Sequence, residues 1–254
     1  EQNMSIARDE TGKQIGGHGR GNNYLYLYSY DDINNYPIIG KFAKELQSWT
    51  FLNLLPPLMK EALPIKKELQ LKEWGQNLSV VLHVLQAEYP AKFKQIEEIL
   101  KSAIPELEDL TMGLTSYEPG KTYVRTKEKS LKTSIPAWGM SDGSLRLLGL
   151  LTALYSPEPL PLICIEEPEN YVHPRLLELI VDLIKTASER SQIFVTTHTP
   201  LLIDFLQPED LFVVEKSEGQ TTVNKAMDKK GIKEALKTLG LGEMWYSGAL
   251  GGVP

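Results

Sequence analysis

The feature that most limits what this chain can fold into is the pattern from Ser141 onward. Helix-period segments alternate there with short strands, of which the first is continuously apolar. The helical stretches run over 145–155, 174–189, 200–206 and 231–239, and the strands over 161–165, 192–196, 211–215 and 221–225. A strand without a polar face is buried on both sides, so the alternation predicts an α/β architecture built on a parallel sheet. The strand Leu162 to Ile165 ends in Glu166, Glu167, Pro168 and Glu169. In open parallel sheets, ligands sit at that carboxyl edge.

Two adjacent acids at such an edge can divide their work. One holds a Mg²⁺ ion and the next polarises a water for attack on phosphorus. A solvated acidic loop after a buried strand fits the same four residues, and alone they leave both readings open. Two further elements bear on the choice. Ser141, Asp142, Gly143 and Ser144 precede the helix beginning near Leu145. Serine there caps the helix, and its hydroxyl with the free N–H groups can form an anion site that glycine leaves open to close approach. The strand 192–196 leads to His198 at the same edge, where an imidazole can donate to a terminal phosphate.

The first half reads differently. Residues 1–22 are polar and Gly-rich, consistent with a ragged hairpin, and Tyr24 to Tyr28 reads as a strand. A helix is expected over 37–55, up to the Pro56-Pro57 break. Helical periodicity then dominates 58–112, through Leu78, Val81, Leu82 and Leu85 and again through Phe93, Ile96, Ile99 and Leu100. Alternation over 110–134 predicts strands, with Tyr123, Arg125, Lys127 and Lys129 on one exposed face. The expected division is 1–57, a helical subdomain 58–112, and 113–254. The lone Cys164 excludes an intramolecular disulfide framework and fits a cytoplasmic protein. No apolar run approaches the roughly 20 residues of a membrane span. The chain opens on Glu1, as a trimmed chain or the remainder of a longer one would.

Taken together, the serine–glycine cap, the Glu-Glu-Pro-Glu strand end and His198 resemble the ABC-type ATPases of the SMC, RecF and OLD group. They are most similar to the bacterial AAA-family members whose Walker B segment reads Glu-Glu-Pro-Glu. The resemblance covers about residues 140–215, and more loosely 37–139 and 231–254. It implies a RecA-like parallel-sheet lobe with a helical subdomain and some antiparallel strands, and ATP with Mg²⁺ as cofactors. By it, Ser141, Asp142, Gly143 and Ser144 stand at the signature, Glu166 at the Mg²⁺-associated acid, Glu167 at the catalytic base and His198 at the switch histidine. His173 and Pro174 fall in the D-loop region, with Arg175 either facing a second protomer or simply at the surface. The tail 245–252 also resembles the group, without a mechanism attached.

The chain departs from the family at two points. Glutamate replaces the usual aspartate at Glu166, and no GxxxxGK[ST] segment is present. Gly113 to Thr122 has six residues between its glycines where a P-loop needs four, and it leads into alternation instead of a helix. The expectation is therefore a further lobe of about 100 residues, without which the chain binds ATP poorly. The resemblance implies ATP hydrolysis by a homodimer that sandwiches ATP, serving DNA repair or phage defence beside a separately encoded nuclease, and no membrane. Arg125, Lys127, Lys129 and Lys132 suit DNA phosphates and suit a solvated strand face equally. The competing reading is an incomplete ATPase half acting as a dimerisation module; a transporter cassette fits less well.

Overall fold

The computed structural model describes residues 4–8, 14–19, 37–116, 118–229 and 231–252. The chain forms two compact units, Glu1–Ser48 and Trp49–Pro254. In the first, β1 (Met4–Arg8) and β2 (Gln14–Gly19) pair as an antiparallel hairpin, as the Gly-rich opening predicts. The strand expected at Tyr24 to Tyr28 lies outside the described residues. Helix α1 (Pro37–Gln47) ends well before Leu55. Its expected continuation is broken because Thr50, Phe51 and Leu52 become strand β3 (Thr50–Leu52), where aromatic and β-branched side chains suit a pleated surface.

The second unit continues with α2 (Pro56–Met59), β4 (Leu63–Pro64), α3 (Leu78–Glu88) and α4 (Pro90–Ala103). Next come β5 (Leu107–Leu114), β6 (Lys121–Glu128) and β7 (Ile135–Pro136), then α5 (Asp142–Leu154) and β8 (Leu162–Glu166). The helical reading of 58–112 thus ends at Ala103. Pro105 closes that helix, and β5 starts at Leu107 because its side chains alternate between core and surface. Strands β4, β6 and β5 form an antiparallel sheet, with β7 on β6. The Gly113–Thr122 segment is a hairpin of this sheet, with the Thr122 hydroxyl donating to the Gly113 carbonyl.

Helix α6 (Leu177–Ser188), entered through a 3₁₀ turn at Pro174–Leu176, leads to β9 (Gln192–Thr196) and the short α7 (Pro200–Ile203). Strands β3, β8 and β9 form the parallel sheet, in that order. Strands β10 (Phe212–Ser217) and β11 (Gln220–Lys225) do not join it. They pair as a separate antiparallel hairpin, a correction to the parallel series expected from sequence. Gly219, in a left-handed conformation, supplies the tight turn between them. Helices α8 (Ile232–Ala235) and α9 (Leu241–Tyr246) complete the chain, with α8 much shorter than the expected 231–239.

The main core gathers Leu78, Leu82 and Leu85 of α3, Ile96 and Leu100 of α4, and Leu145, Leu147, Leu148 and Leu151 of α5, against Leu52, Ile163 and Ile165. A second cluster joins Ile203 and Val213 to Leu241, Met244 and Leu250. Among the described residues, one face of the parallel sheet packs on this core and the other is partly open. Phe51, Cys164 and Phe194 stand side by side in register on the other, and the two phenylalanines are 56% and 53% exposed. The apolar run of β9 predicted burial on both faces, which these residues do not have. Among the described residues, no helix is long and apolar enough to cross a membrane.

Candidate functional site

Ser141 caps α5. Its Oγ accepts the Ser144 N–H at 3.1 Å and lies 2.8 Å from the Ser144 hydroxyl. Asp142, in the first turn, pairs with Lys60 at 2.7 Å. Gly143 has a packing reason to be glycine: a Cβ there would sit 2.6 Å from the Tyr171 carbonyl oxygen. The start of α5 therefore lies against the loop that leaves the acidic strand, a contact separate from the phosphate approach that the sequence points to.

At the end of β8, Glu166 is exposed and registers with Thr196 of β9. Glu167 follows with φ of +43°, and Tyr171 closes the loop with φ of +66°. Both are left-handed values that non-glycine residues rarely adopt, and they persist only where surrounding bonds enforce them. Here the enforcing bonds are visible. The Glu167 N–H donates to Thr196 O at 3.0 Å, the Asn170 N–H donates to Glu167 O at 3.1 Å, and the Asn170 amide donates to Glu167 Oε2 at 2.5 Å. This twist is what re-aims Glu167 beyond ordinary strand alternation. His198, its side chain 80% exposed, brings Nε2 to 3.7 Å from Glu167 Oε1. His173 is occupied in a turn, its Nδ1 accepting the Arg175 N–H.

Two residues to which sequence reasoning gave no role tie these parts together. Arg146 of α5 is 1% exposed and donates to the carbonyls of Leu54, Glu166 (2.8 Å) and Glu167 (2.7 Å). Burial pushes its guanidinium down from the ordinary arginine range, while Glu169, Tyr171, Glu167 and Glu166 oppose that shift. Glu169 accepts the Thr197 hydroxyl at 2.6 Å and the His198 N–H at 3.3 Å, both through Oε1. A signal for Arg146 was present in the sequence, since a charged side chain within a leucine-rich helix must be paired when buried.

Among the described residues, no three His, Cys, Asp or Glu side chains gather as a metal cage. One or two carboxylates completed by phosphates and water is, however, the donor set Mg²⁺ takes in nucleotide sites, so Glu166 fits a Mg²⁺–nucleotide complex and not a free-standing ion. The basic face expected to meet DNA is partly engaged within the protein. Arg125 Nε donates to Thr111 Oγ1, Lys127 pairs with Glu108 at 2.8 Å, and Lys129 donates to Pro105 O.

The family model described as "AAA domain, putative AbiEii toxin, Type IV TA system" matches residues 28–204, well over half of the chain. The chain belongs to this family. No curated protein matches it. Among solved structures, this AAA-family chain is similar to the SMC head bound to the C-winged helix domain of ScpA. That likeness has 15% identity and a TM-score of 0.55, and covers 91% of this chain and 69% of that one. A structure from work on ATP-driven dimerization and DNA-stimulated activation of SMC ATPases is 22% identical, with a TM-score of 0.45 over 63% of this chain and 99% of that one. The Smc head domain with a coiled coil and joint from Pyrococcus yayanosii is 18% identical, with a TM-score of 0.46 over 81% and 34%. The family and the first of these likenesses bear out the SMC- and ABC-type AAA ATPase fold.

Proposed function

We propose that this AAA-family chain carries the signature, acidic and switch elements of an ATP-hydrolysing site, completed by a P-loop from outside its 254 residues. The observation that carries the reading is the 3.7 Å approach of His198 Nε2 to Glu167 Oε1, across the ends of two paired parallel strands. Glu167 accepts the proton of an attacking water, and His198 donates a hydrogen bond to the terminal phosphate. Glu166 would hold Mg²⁺, which would offset the phosphate charge. Ser141 and Gly143 act across a homodimer, on the nucleotide held by the other protomer.

The open side of the parallel sheet supports a separate cradle. Among the described residues, β9 has no strand on its outer edge. A strand added there in parallel, about 4.8 Å away, would end beside His198. The exposed Phe51–Cys164–Phe194 row would then lie under the helix that follows it. ATP turnover by the product of the complete reading frame, with and without DNA, tests the reading; no turnover in either condition overturns it.

The cellular role we attach to this cycle is DNA repair or phage defence beside a separately encoded nuclease. DNA contact through the basic face rests chiefly on Lys132, which is exposed, now that its neighbours have partners within the protein. A second reading, a non-hydrolysing dimerisation module, draws on the same exposed row. ATP-independent association without turnover would favour it.

A further inference from the structure

Buried polar groups are ordinarily satisfied, and leaving one unpaired costs more than a typical hydrogen bond contributes. Among the described residues, two of the few exceptions belong to side chains bonded at the end of β8 and the loop after it. Arg146 Nε is buried without a partner, and so is Glu169 Oε2. Each belongs to a side chain whose other polar atoms all have partners. Arg146 pins the carbonyls of Glu166 and Glu167 from within α5, and Glu169 pins Thr197 and the His198 N–H from within the acidic loop. Glu169 also exerts the strongest of the charge effects felt by Arg146. One donor and one acceptor are therefore left over at the junction of the two bond sets.

We propose that Arg146 and Glu169 form a positioning pair that links the helix capped by Ser141 to the His198 loop. Neither touches the nucleotide. A phosphate engaging Ser141 at the start of α5 bears on Arg146 five residues further along the same helix, and hence on the backbone of both acids. Closure of Arg146 Nε onto Glu169 Oε2, directly or through one water, satisfies both orphan atoms. Because Glu169 holds Thr197 and the His198 amide, that closure fixes the switch histidine in the same step. Occupation of the signature thereby sets the geometry of the acid and histidine that serve the other nucleotide. The inference rests on the ATP-hydrolysis reading above.

The test uses the product of the complete reading frame, with Arg146→Lys, Glu169→Gln and the double variant. Lysine keeps the charge but loses the fork that reaches two carbonyls at once. Each single change is expected to lower kcat about 10- to 100-fold with KM for ATP changed less than about 3-fold, the pattern of lost transition-state positioning. The double variant is expected to be no slower than the worse single one, because the two act as a unit. Hydrogen exchange on the Phe194–Thr199 peptide supplies an independent readout. ATP should protect that segment in the Glu167→Gln background, and the protection should vanish when Glu169→Gln is added. Multiplying kinetic effects, a rise in KM with kcat unchanged, or protection that persists in Glu169→Gln each overturns the pairing while leaving ATP hydrolysis in place. A wild-type protein without ATP turnover overturns the reading beneath it, and the pairing with it.

Discussion

Asp204 Oδ1 accepts the Gly242 N–H at 2.7 Å, so the last helix of the chain is fastened to the short helix that follows the His198 loop. Gly242 permits this because its backbone lies against Pro200; an added Cβ would sit 2.2 Å from the Pro200 carbonyl oxygen. The helix that leads into the 245–252 tail thus has a physical role as a brace. Gly242→Ala is expected to destabilise the protein by roughly 1–3 kcal/mol, the usual cost of overpacking a close contact. Chemical denaturation reads this directly, and an unshifted midpoint would remove the brace.

Glu167 sits in a strained left-handed conformation with one carboxylate oxygen held by Asn170 and the other facing His198. Glu167→Gln keeps the shape and removes the proposed base. In the product of the complete reading frame it should slow ATP hydrolysis about 100-fold or more while ATP remains bound. Unchanged steady-state turnover would take the base role away from Glu167.

Gly143→Ala tests the contact between the capped start of α5 and the acidic loop. Its Cβ would meet the Tyr171 carbonyl at 2.6 Å, and backbone on both sides leaves little room to yield. The loop Glu167–Tyr171 must shift, so ATP turnover is expected to fall at least about 10-fold, as misplacement of positioned groups does. Retained turnover would show that the loop tolerates displacement.

The acidic strand, the serine cap and the histidine were legible because each joins a local pattern to a chemistry that needs it. Strand β8 reads from Leu162 to Ile165 without ambiguity, and its acids mark the carboxyl edge. Strand β3 was hidden inside an apparent helix, because three residues carry little periodicity and pairing with β8 decided their state. Strands β10 and β11 were visible as strands, but their partner was not; apolar runs alone do not distinguish a parallel sheet from a hairpin. The role of Glu169 depends on Thr197 and His198, 28 and 29 residues away, and no spacing rule reaches that far.

Glu97 of α4 gives a pH signature far from the site. Burial pushes its carboxyl up, but hydrogen bonds from Lys101, Lys94 and Asp109 outweigh this and hold it down at about 2. A folded value below the unfolded one means stability that is present above the ordinary carboxylate range and lost as pH falls toward about 2. Asp109 has the opposite sign: burial and its bond to Glu97 push it up, so its own protonation favours the fold as pH falls. Glu97→Gln should therefore flatten the acid limb of a stability-versus-pH curve and lower stability at neutral pH by about 1–3 kcal/mol. An acid limb as steep as wild type would assign it to other carboxylates.

The row Phe51, Cys164 and Phe194 offers the most direct check on where the proposed P-loop lobe would dock. Half-exposed phenylalanines contribute only part of their apolar area to the fold of the chain that bears them, and the remainder is worth about 25 cal/mol per Å² once a partner removes it from water. Phe51→Ser with Phe194→Ser should consequently leave the 254-residue chain folded, lowering its stability by about 1–3 kcal/mol in chemical denaturation. The same pair should abolish binding of a separately expressed P-loop lobe, measured by calorimetry. The open edge of β9 would still offer its backbone, but a parallel strand does not hold there without a covered face. Undiminished binding by the double variant would place the lobe elsewhere and remove the sheet face as its seat.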